Sequence, residues 1–384
     1  MKFGVLVLFF GCGLAMSQVG NRNAIEVSRL STDERIQAYE RVLSTSPDNT
    51  QLRASLISTY LQKLRESADY RYLDLAAKLV DRMLEQDGGS FLALRFQNEV
   101  DLQRHDFRAV AERAQGMTKY SASDPGTWGN LGDALMELGE YERAGQAYTK
   151  MYVLRPNLYS YNRLAYFRFV TGNPAEAIEL MNEAVSAGDS QPEIVAWCSA
   201  ELGDMYFKTG QIDAAAAAYR NAIELFPRLH RALAGMAKVD AAQGHTDEAI
   251  KSYLRAQSIV PMVEYASALQ DLYKTAGMSA KAQEQAALIE TIEKLGRATN
   301  EKTNRNLALA LADHDQHLDV ALELVEAEIP NRPDVYTWDA LSWVLFKNGR
   351  IDEAKAASAK ALKLNTPEPL FRYHASKIAA AIAP

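Results

Sequence analysis

Cysteine is nearly absent from this chain of 384 residues: Cys12 and Cys198 are the only two, so no disulfide framework can staple the fold. Proline (12) and glycine (21) are too sparse for a collagen-like or low-complexity chain. Positive charge is not in excess either, with 42 Lys and Arg against 49 Asp and Glu and a net charge of −7. A nucleic-acid partner is therefore not expected, because such proteins carry a basic face. Long apolar runs are missing after residue 17. Motifs of chemistry are missing as well: no Gly-x4-Gly-Lys loop, no Gly-x-Gly-x-x-Gly, no Gly-x-Ser-x-Gly elbow and no His-Glu-x-x-His. What is present, 48% hydrophobic and 24% charged residues, is the composition of a folded, mildly acidic protein.

The first 17 residues have their own logic. Met1-Lys2 precedes an apolar run from Phe3 to Phe10, and small residues follow at Gly13, Ala15 and Ser17. One positive charge, a short apolar core and small residues make a secretory signal peptide, with cleavage expected before Gln18. The apolar stretch from Phe3 to Met16 is 14 residues, short of the ~20 that span a bilayer. Gly11-Cys12 resembles the end of a lipobox, so the alternative is a lipoprotein anchored through Cys12. The expected location is the periplasm or the outside of the cell. Membrane attachment is expected only through that anchor.

Beyond residue 120 the sequence repeats itself. Trp128-x2-Leu131-Gly132-x2-Leu135 leads to Gly139, Ala144-x3-Tyr148 and Pro156. Leu202-Gly203-x2-Tyr206 leads to Gly210, Ala215-x3-Tyr219, Ala222 and Pro227, and Met236-Ala237 to Gly244, Ala249-x3-Tyr253, Ala256 and Pro261. Trp338-x2-Leu341-Ser342-x2-Leu345 carries on to Gly349, Ala354 and Ala361. Turn residues at Gly139, Gly172, Gly210, Gly244, Gly277, Gln316 and Gly349 follow at steps of 33, 38, 34, 33, 39 and 33. Each unit reads as two helices: small residues such as Gly132 and Ala144 permit close approach, and large ones fill the space around the contact in a 3.6-residue rhythm. Glycine ends the first helix with φ > 0, and proline stops the second. One pair cannot bury its apolar faces, so neighbours must stack.

This pattern resembles the tetratricopeptide (TPR) repeat family. The resemblance covers nearly all of 33–366 and weakens before 90. It implies an all-α, right-handed α-solenoid of stacked antiparallel helix pairs, a TPR-like superhelix. The expected divisions are 1–17 signal peptide, 18–90 degenerate helical repeats, 91–367 TPR array and 368–384 capping helix. That last helix should run from Pro369 to about Ile382, with Leu370, Phe371, Tyr373, Ile378 and Ile382 on its apolar side and Arg372, His374 and Lys377 on its wet side. The long steps mark Ser186–Pro192, a run of turn formers, and Gly296–Lys302, a loop or a helix extension. Residues 306–374 also look like the terminal block of bacterial secreted TPR proteins.

In this family the concave groove is lined by positions 2, 5, 9 and 12 of each first helix, which form one helical stripe. Here the stripe includes Tyr159, Asn162, Tyr166 and Phe169, then Trp197, Ala200, Asp204 and Phe207, then Arg231, Ala234, Lys238 and Ala241. It continues through Glu264, Ser267, Asp271 and Lys274 and ends on Tyr336, Asp339, Trp343 and Phe346. The candidate protein-binding groove is therefore Tyr159, Asn162, Tyr166, Phe169, Trp197, Asp204, Phe207, Arg231 and Lys238. Its aromatics are suited to a protein or peptide, and Arg231 and Lys238 to an acidic segment. The other possibility is that the aromatics pack against neighbouring first helices while the basic pair bridges to Asp204 and Asp271. The Lys/Asn carboxylate clamp of co-chaperone TPR domains is not reproduced, since Gly129 and Asp133 stand at its positions.

The resemblance implies a non-enzymatic scaffold of the bacterial envelope, with no cofactor and no evident small-molecule substrate. The alternative is a metal-binding or enzymatic protein using the Asp313–Asp319 turn, where His314 and His317 lie among carboxylates. A lipid-anchored module of an outer-membrane complex is a third possibility. The bland reading of that turn is a polar connection between paired helices. His105, His230 and His245 fall near turns or helix starts, as solvated residues would, and Cys198 reads as a free thiol without a His partner nearby.

Overall fold

The computed structural model describes residues 30–189, 191–298 and 304–381. The expected signal peptide, its cleavage site, Cys12 and Ile382 lie outside the described residues. Among these residues there are twenty α-helices and no strand. A leading helix, α1 (Thr32–Thr45), begins with a capping box between Ser31 and Glu34. Nine helix pairs follow. They are α2 (Thr50–Ser67) with α3 (Arg71–Gln86), α4 (Phe91–Gln103) with α5 (Phe107–Tyr120), and α6 (Pro125–Glu137) with α7 (Tyr141–Leu154). Then come α8 (Leu158–Val170) with α9 (Pro174–Ala187), α10 (Pro192–Lys208) with α11 (Ile212–Leu225), and α12 (His230–Ala242) with α13 (Thr246–Ile259). The last pairs are α14 (Val263–Thr275) with α15 (Ser279–Ala298), α16 (Arg305–Asp313) with α17 (Leu318–Glu328), and α18 (Val335–Lys347) with α19 (Ile351–Ala361). Helix α20 (Pro369–Ala380) closes the array by packing on α18 and α19. The result is an all-α solenoid of stacked antiparallel pairs. Its contacts divide it into two compact units that part between Ala134 and Leu135, inside α6.

One turn recurs eight times. The residue closing the first helix has positive φ, and the next N–H reaches back five residues, as Glu140 N–H does to Leu135 O (2.9 Å) and Arg350 N–H to Leu345 O (2.9 Å). This is the six-to-one bond of a Schellman motif. Glycine supplies the left-handed residue six times, His105 (φ 61°) and Asp315 (φ 54°) the other two. The turn residue of the α16–α17 pair is thus Asp315, one position before the Gln316 expected from spacing. An extra residue, His317, separates it from α17.

Each long step lengthens a helix. The first helices of the adjacent pairs have 13 residues, whereas α10 has 17, so the insertion adds about one turn to its N-terminal end. Proline at its first position lacks only an N–H that no helix would have used. Similarly, α15 runs for 20 residues and takes in Gly296–Ala298 as an extension.

Small residues set the spacing between helices. Tyr219 of α11 is fully buried, and a Cβ on Gly203 of α10 would lie 2.6 Å from its ring, while one on Gly235 of α12 would overlap it. The capping helix turns a different face inward from the one expected: Phe371, His374 and Ile378 are buried, whereas Leu370 and Tyr373 are 44% and 51% exposed. Spacing of three and four residues puts Phe371, His374 and Ile378 on one stripe. His374 is admitted because Asp339 and Trp343 receive it.

Replacing Gly203 with Ala is expected to cost about 1–3 kcal/mol, because the Tyr219 ring has nowhere to go. Gly116→Ala, in α5 with nothing within 4 Å of the added methyl, is expected to gain about 0.5–1 kcal/mol from helix propensity. Urea unfolding of the two variants beside the parent checks both signs.

Candidate functional site

The stripe residues expected to line the groove divide into a locked wall and a set left open. Trp197, Asp204 and Arg231 come together. The Arg231 guanidinium lies over the Trp197 ring, 4.5 Å from its centroid, and its nitrogens reach Asp204 Oδ2 at 2.5 and 3.0 Å and Glu201 Oε1 at 2.5 Å. Tyr219 Oη donates to the other Asp204 oxygen at 2.6 Å. Burial opposes the charge on Asp204, but Arg231, with Lys238 and Lys208, holds its carboxyl well below the usual range. Arg231 is therefore paired within the protein, to Asp204 and Glu201 rather than to Asp271.

Tyr159 is buried and donates to Asp189 Oδ2 at 3.0 Å. The Asn162 amide points at Met181 Sδ and Cys198 Sγ, 3.6 Å from each. Phe169 is buried, with Lys208 Nζ 5.8 Å from its ring centroid. Tyr166 and Phe207 remain half-buried, and Lys238 is exposed. Burial, with Tyr336 and Glu137 nearby, pushes the Tyr166 hydroxyl well above its ordinary pKa, so it stays a neutral donor.

At the far end the stripe is covered by the chain itself. Tyr336 meets Phe371 edge-on at 5.2 Å, His374 Nδ1 lies 2.9 Å from Asp339 Oδ2, and the His374 ring stacks on Trp343 at 4.3 Å.

Residues outside the expected site complete it. The loop before α18 carries Arg332 and Asp334 into a buried cluster with Glu137, Arg305 and Glu328. Arg332 Nε bonds both Glu137 and Asp334, and Arg305 Nη1 bonds both Asp334 oxygens at 2.7 and 2.8 Å. Two guanidiniums cannot neutralise three carboxylates. Asp334, held by both arginines against the effect of burial, stays below its usual pKa. Burial, helped by Asp334, instead raises Glu137 to about 7 despite Arg332. Periodicity does not reveal this cluster, in which the bonded Glu137 and Arg332 lie 195 residues apart. The available signal was Asn331-Arg332-Pro333-Asp334, two opposite charges around a proline at a junction between repeats.

The Asp313–Asp319 turn does not converge. Asp313 accepts from Trp343 Nε1 (2.8 Å), His314 Nε2 lies 3.3 Å from Ser267 Oγ, Asp315 pairs with Lys347 (2.6 Å), and His317 with Glu293 (2.5 Å). Among the described residues no group of three or more His, Cys, Asp or Glu is placed to hold a metal. His230, expected on a solvated face, is buried, shares a 2.6 Å hydrogen bond with Tyr265 and is pulled down to about pKa 4 by burial and Arg231. The cause is its place at the first turn of α12, facing the α13–α14 layer. Cys198 is wholly buried, and burial pushes its thiol far up, which makes it an unreactive packing residue. No helix among the described residues is long and apolar enough to cross a membrane.

A repeat-built α-solenoid with a lined inner stripe belongs to the class of helical-repeat interaction scaffolds. The tetratricopeptide-repeat description matches residues 92–159, 130–192 and 201–261, and again 335–367. The chain belongs to the tetratricopeptide-repeat family. No curated protein matches it significantly. Among solved structures, a chain of the APC/C hetero-tetramer Cut9-Hcn1 superposes with a TM-score of 0.54 at 13% identity, over 92% of this chain and 62% of that one. That similarity concerns the fold alone. MamA aligns at 25% identity and a TM-score of 0.37 over 44% of this chain and 97% of its own. PilW, a widely conserved type IV pilus biogenesis factor, aligns at 17% and 0.45 over 52% and 91%. TPR proteins generally bind protein partners, and their scaffold fold is typically non-catalytic, so repeats and fold together suggest a protein-interaction scaffold.

Glu137 has a measurable consequence. Its pKa is higher in the folded chain (about 7) than the ordinary 4.5, so the native state holds the extra proton between those values. Stability from this group therefore falls as pH rises from about 4.5 to about 7, by an amount on the order of 1–3 kcal/mol. Asp334, shifted down, contributes stability above the ordinary carboxylate pKa and loses it only in stronger acid. His230, also shifted down, acts in the opposite direction between about 4 and 6.5. The readout is thus the difference between parent and Glu137→Gln: melting temperatures from pH 5 to 8 should decline more steeply in the parent. Parallel curves would show that Glu137 does not carry the proton.

Proposed function

We propose that this chain is an exported, non-enzymatic scaffold of the bacterial envelope that binds a segment of a protein partner on the stripe formed by α8, α10 and α12. One observation carries the reading. In three successive first helices Tyr166 and Phe207 are half-buried and Lys238 is exposed, beside a wall in which Trp197, Arg231 and Asp204 are already locked together. Such a wall needs no ordering on binding, and aromatics add contact area at low rotamer cost. A preference for an acidic segment rests on Lys238, because Arg231 is neutralised by its own carboxylates. Support for export is the pattern of residues 1–17. The lipid-anchored form would begin at an acylated Cys12. Intact mass of the native protein separates that form from a chain beginning near Gln18.

The test starts with a photo-crosslinking residue at Phe207 in the mature chain, which identifies the partner in envelope extracts. Titration calorimetry with that partner then takes over. Tyr166→Ala and Phe207→Ala are each expected to weaken binding by about 1–2 kcal/mol. Lys238→Glu should weaken binding and lessen its salt dependence. Val153→Ala, on the exposed face of α7, should do neither. Unchanged affinity in the three stripe variants, with folding intact, would move the site elsewhere.

A further inference from the structure

Within residues 135–381 the last repeats return to the first. Val335 N–H donates to Tyr141 Oη (2.8 Å), and Thr366 Oγ donates to Val170 O (2.6 Å). Pro333 O and Leu364 O come so close to two of the recurring turns that a Cβ on Gly139 or Gly172 would lie 2.9 or 2.6 Å away. At Gly210, Gly244, Gly277 and Gly349, which have the same backbone conformation, nothing lies within 4 Å of such a Cβ. Lys208 Nζ reaches Glu368 at 2.8 Å while lying between the Phe169 and Tyr336 rings (5.8 and 5.7 Å).

We infer that this contact is a latch: the 332–334 loop with the first turn of α18, and the 364–368 segment, close over the α8 end of the stripe, and a partner can occupy Tyr166 only when they lift. Two features make the contact separable from the fold. It is made of loop backbone, single hydrogen bonds and buried ion pairs, whose desolvation offsets much of their attraction, whereas each helix pair rests on an apolar core. A solenoid also transmits small rotations from repeat to repeat, so the ends can part without any pair unpacking. The groups converging on this end are Glu137 of α6, Tyr141 of α7, Tyr166 of α8, Arg305 of α16, Glu328 of α17, and Arg332 and Asp334 of the loop. The gating rests on the groove reading above; the opening itself does not.

Hydrogen exchange by mass spectrometry on the mature chain tests it, with one control built into the molecule. Gly172→Ala and Gly210→Ala impose the same backbone strain, but only the first collides with a loop. Gly172→Ala is expected to raise exchange at 332–336 and 364–368 about tenfold or more while α11 to α13 stay protected, and Gly210→Ala to leave those loops unchanged. Should Gly172→Ala fail to fold, Thr366→Val removes only the bond to Val170 and should loosen 364–368. For cover of the groove, a cysteine placed by Tyr166→Cys should react with N-ethylmaleimide about tenfold faster with Gly172→Ala than with Gly210→Ala. Loops that exchange only with global unfolding, or equally in both glycine variants, overturn the latch. Equal thiol rates despite open loops overturn the gating. Failure of the calorimetric variants would overturn the groove reading and leave the exchange result intact.

Discussion

The left-handed residue at the end of each first helix is the constraint on which the rest depends. It satisfies two carbonyls of the ending helix and reverses the chain within two or three residues, so the second helix must lie back along the first. Once the pairs are antiparallel and tight, their apolar edges are left open, and stacking is the only way to cover them. Where glycine is missing, His105 and Asp315 take the same conformation. His105 stacks on Phe107, 5.4 Å between ring centroids, and Asp315 pairs with Lys347. The turn geometry is kept while its chemistry varies, which explains how the repeat survives in places where its glycine does not.

Two of these turns serve a second purpose. Gly139 and Gly172 need their missing side chains both for φ and for the carbonyls of Pro333 and Leu364. The buried cations nearby do related work in an acidic protein. Arg332 and Arg231 each hold two or more carboxylates, and Arg305 holds both oxygens of Asp334. Such clusters contribute little net stability, but their directional bonds specify which loop meets which turn.

Local rules made most of the fold legible. Glycine, alanine and large apolar residues recur at fixed offsets, so helix pairs, turns and stacking could be read from residues alone. Errors came where a longer-range partner decided the outcome. His374 looked like a surface residue because its own helix offers no reason to bury it; Asp339 and Trp343, on another helix, do. His230 was misjudged for the same reason, its partner Tyr265 lying one repeat away. Of the groove, the pairing of Arg231 with Asp204 was one of two readings that the repeat frame left open, and its second carboxylate, Glu201, stands three residues before Asp204 on the same helix. The return of 332–368 onto 137–172 did not follow from that frame. That contact depends on rotations summed over several interfaces, none of which a single repeat encodes.

The same difference explains why the inner stripe is not one uniform surface. Residues whose partners lie on an adjacent helix, such as Trp197 with Arg231, are ordered before anything binds. Residues facing the returning loops are ordered only while those loops are in place. Tyr166 belongs to the second group, since Glu137, Asp334 and Tyr336 all act on its hydroxyl. Phe207 and Lys238 are set on α10 and α12, whose register is fixed by Tyr219 between Gly203 and Gly235. A ligand meeting the stripe would therefore find a rigid middle and a conditional end. Affinity would come from the middle, where no ordering cost is incurred, and regulation from the end, where a polar contact between distant repeats has to be exchanged for the ligand.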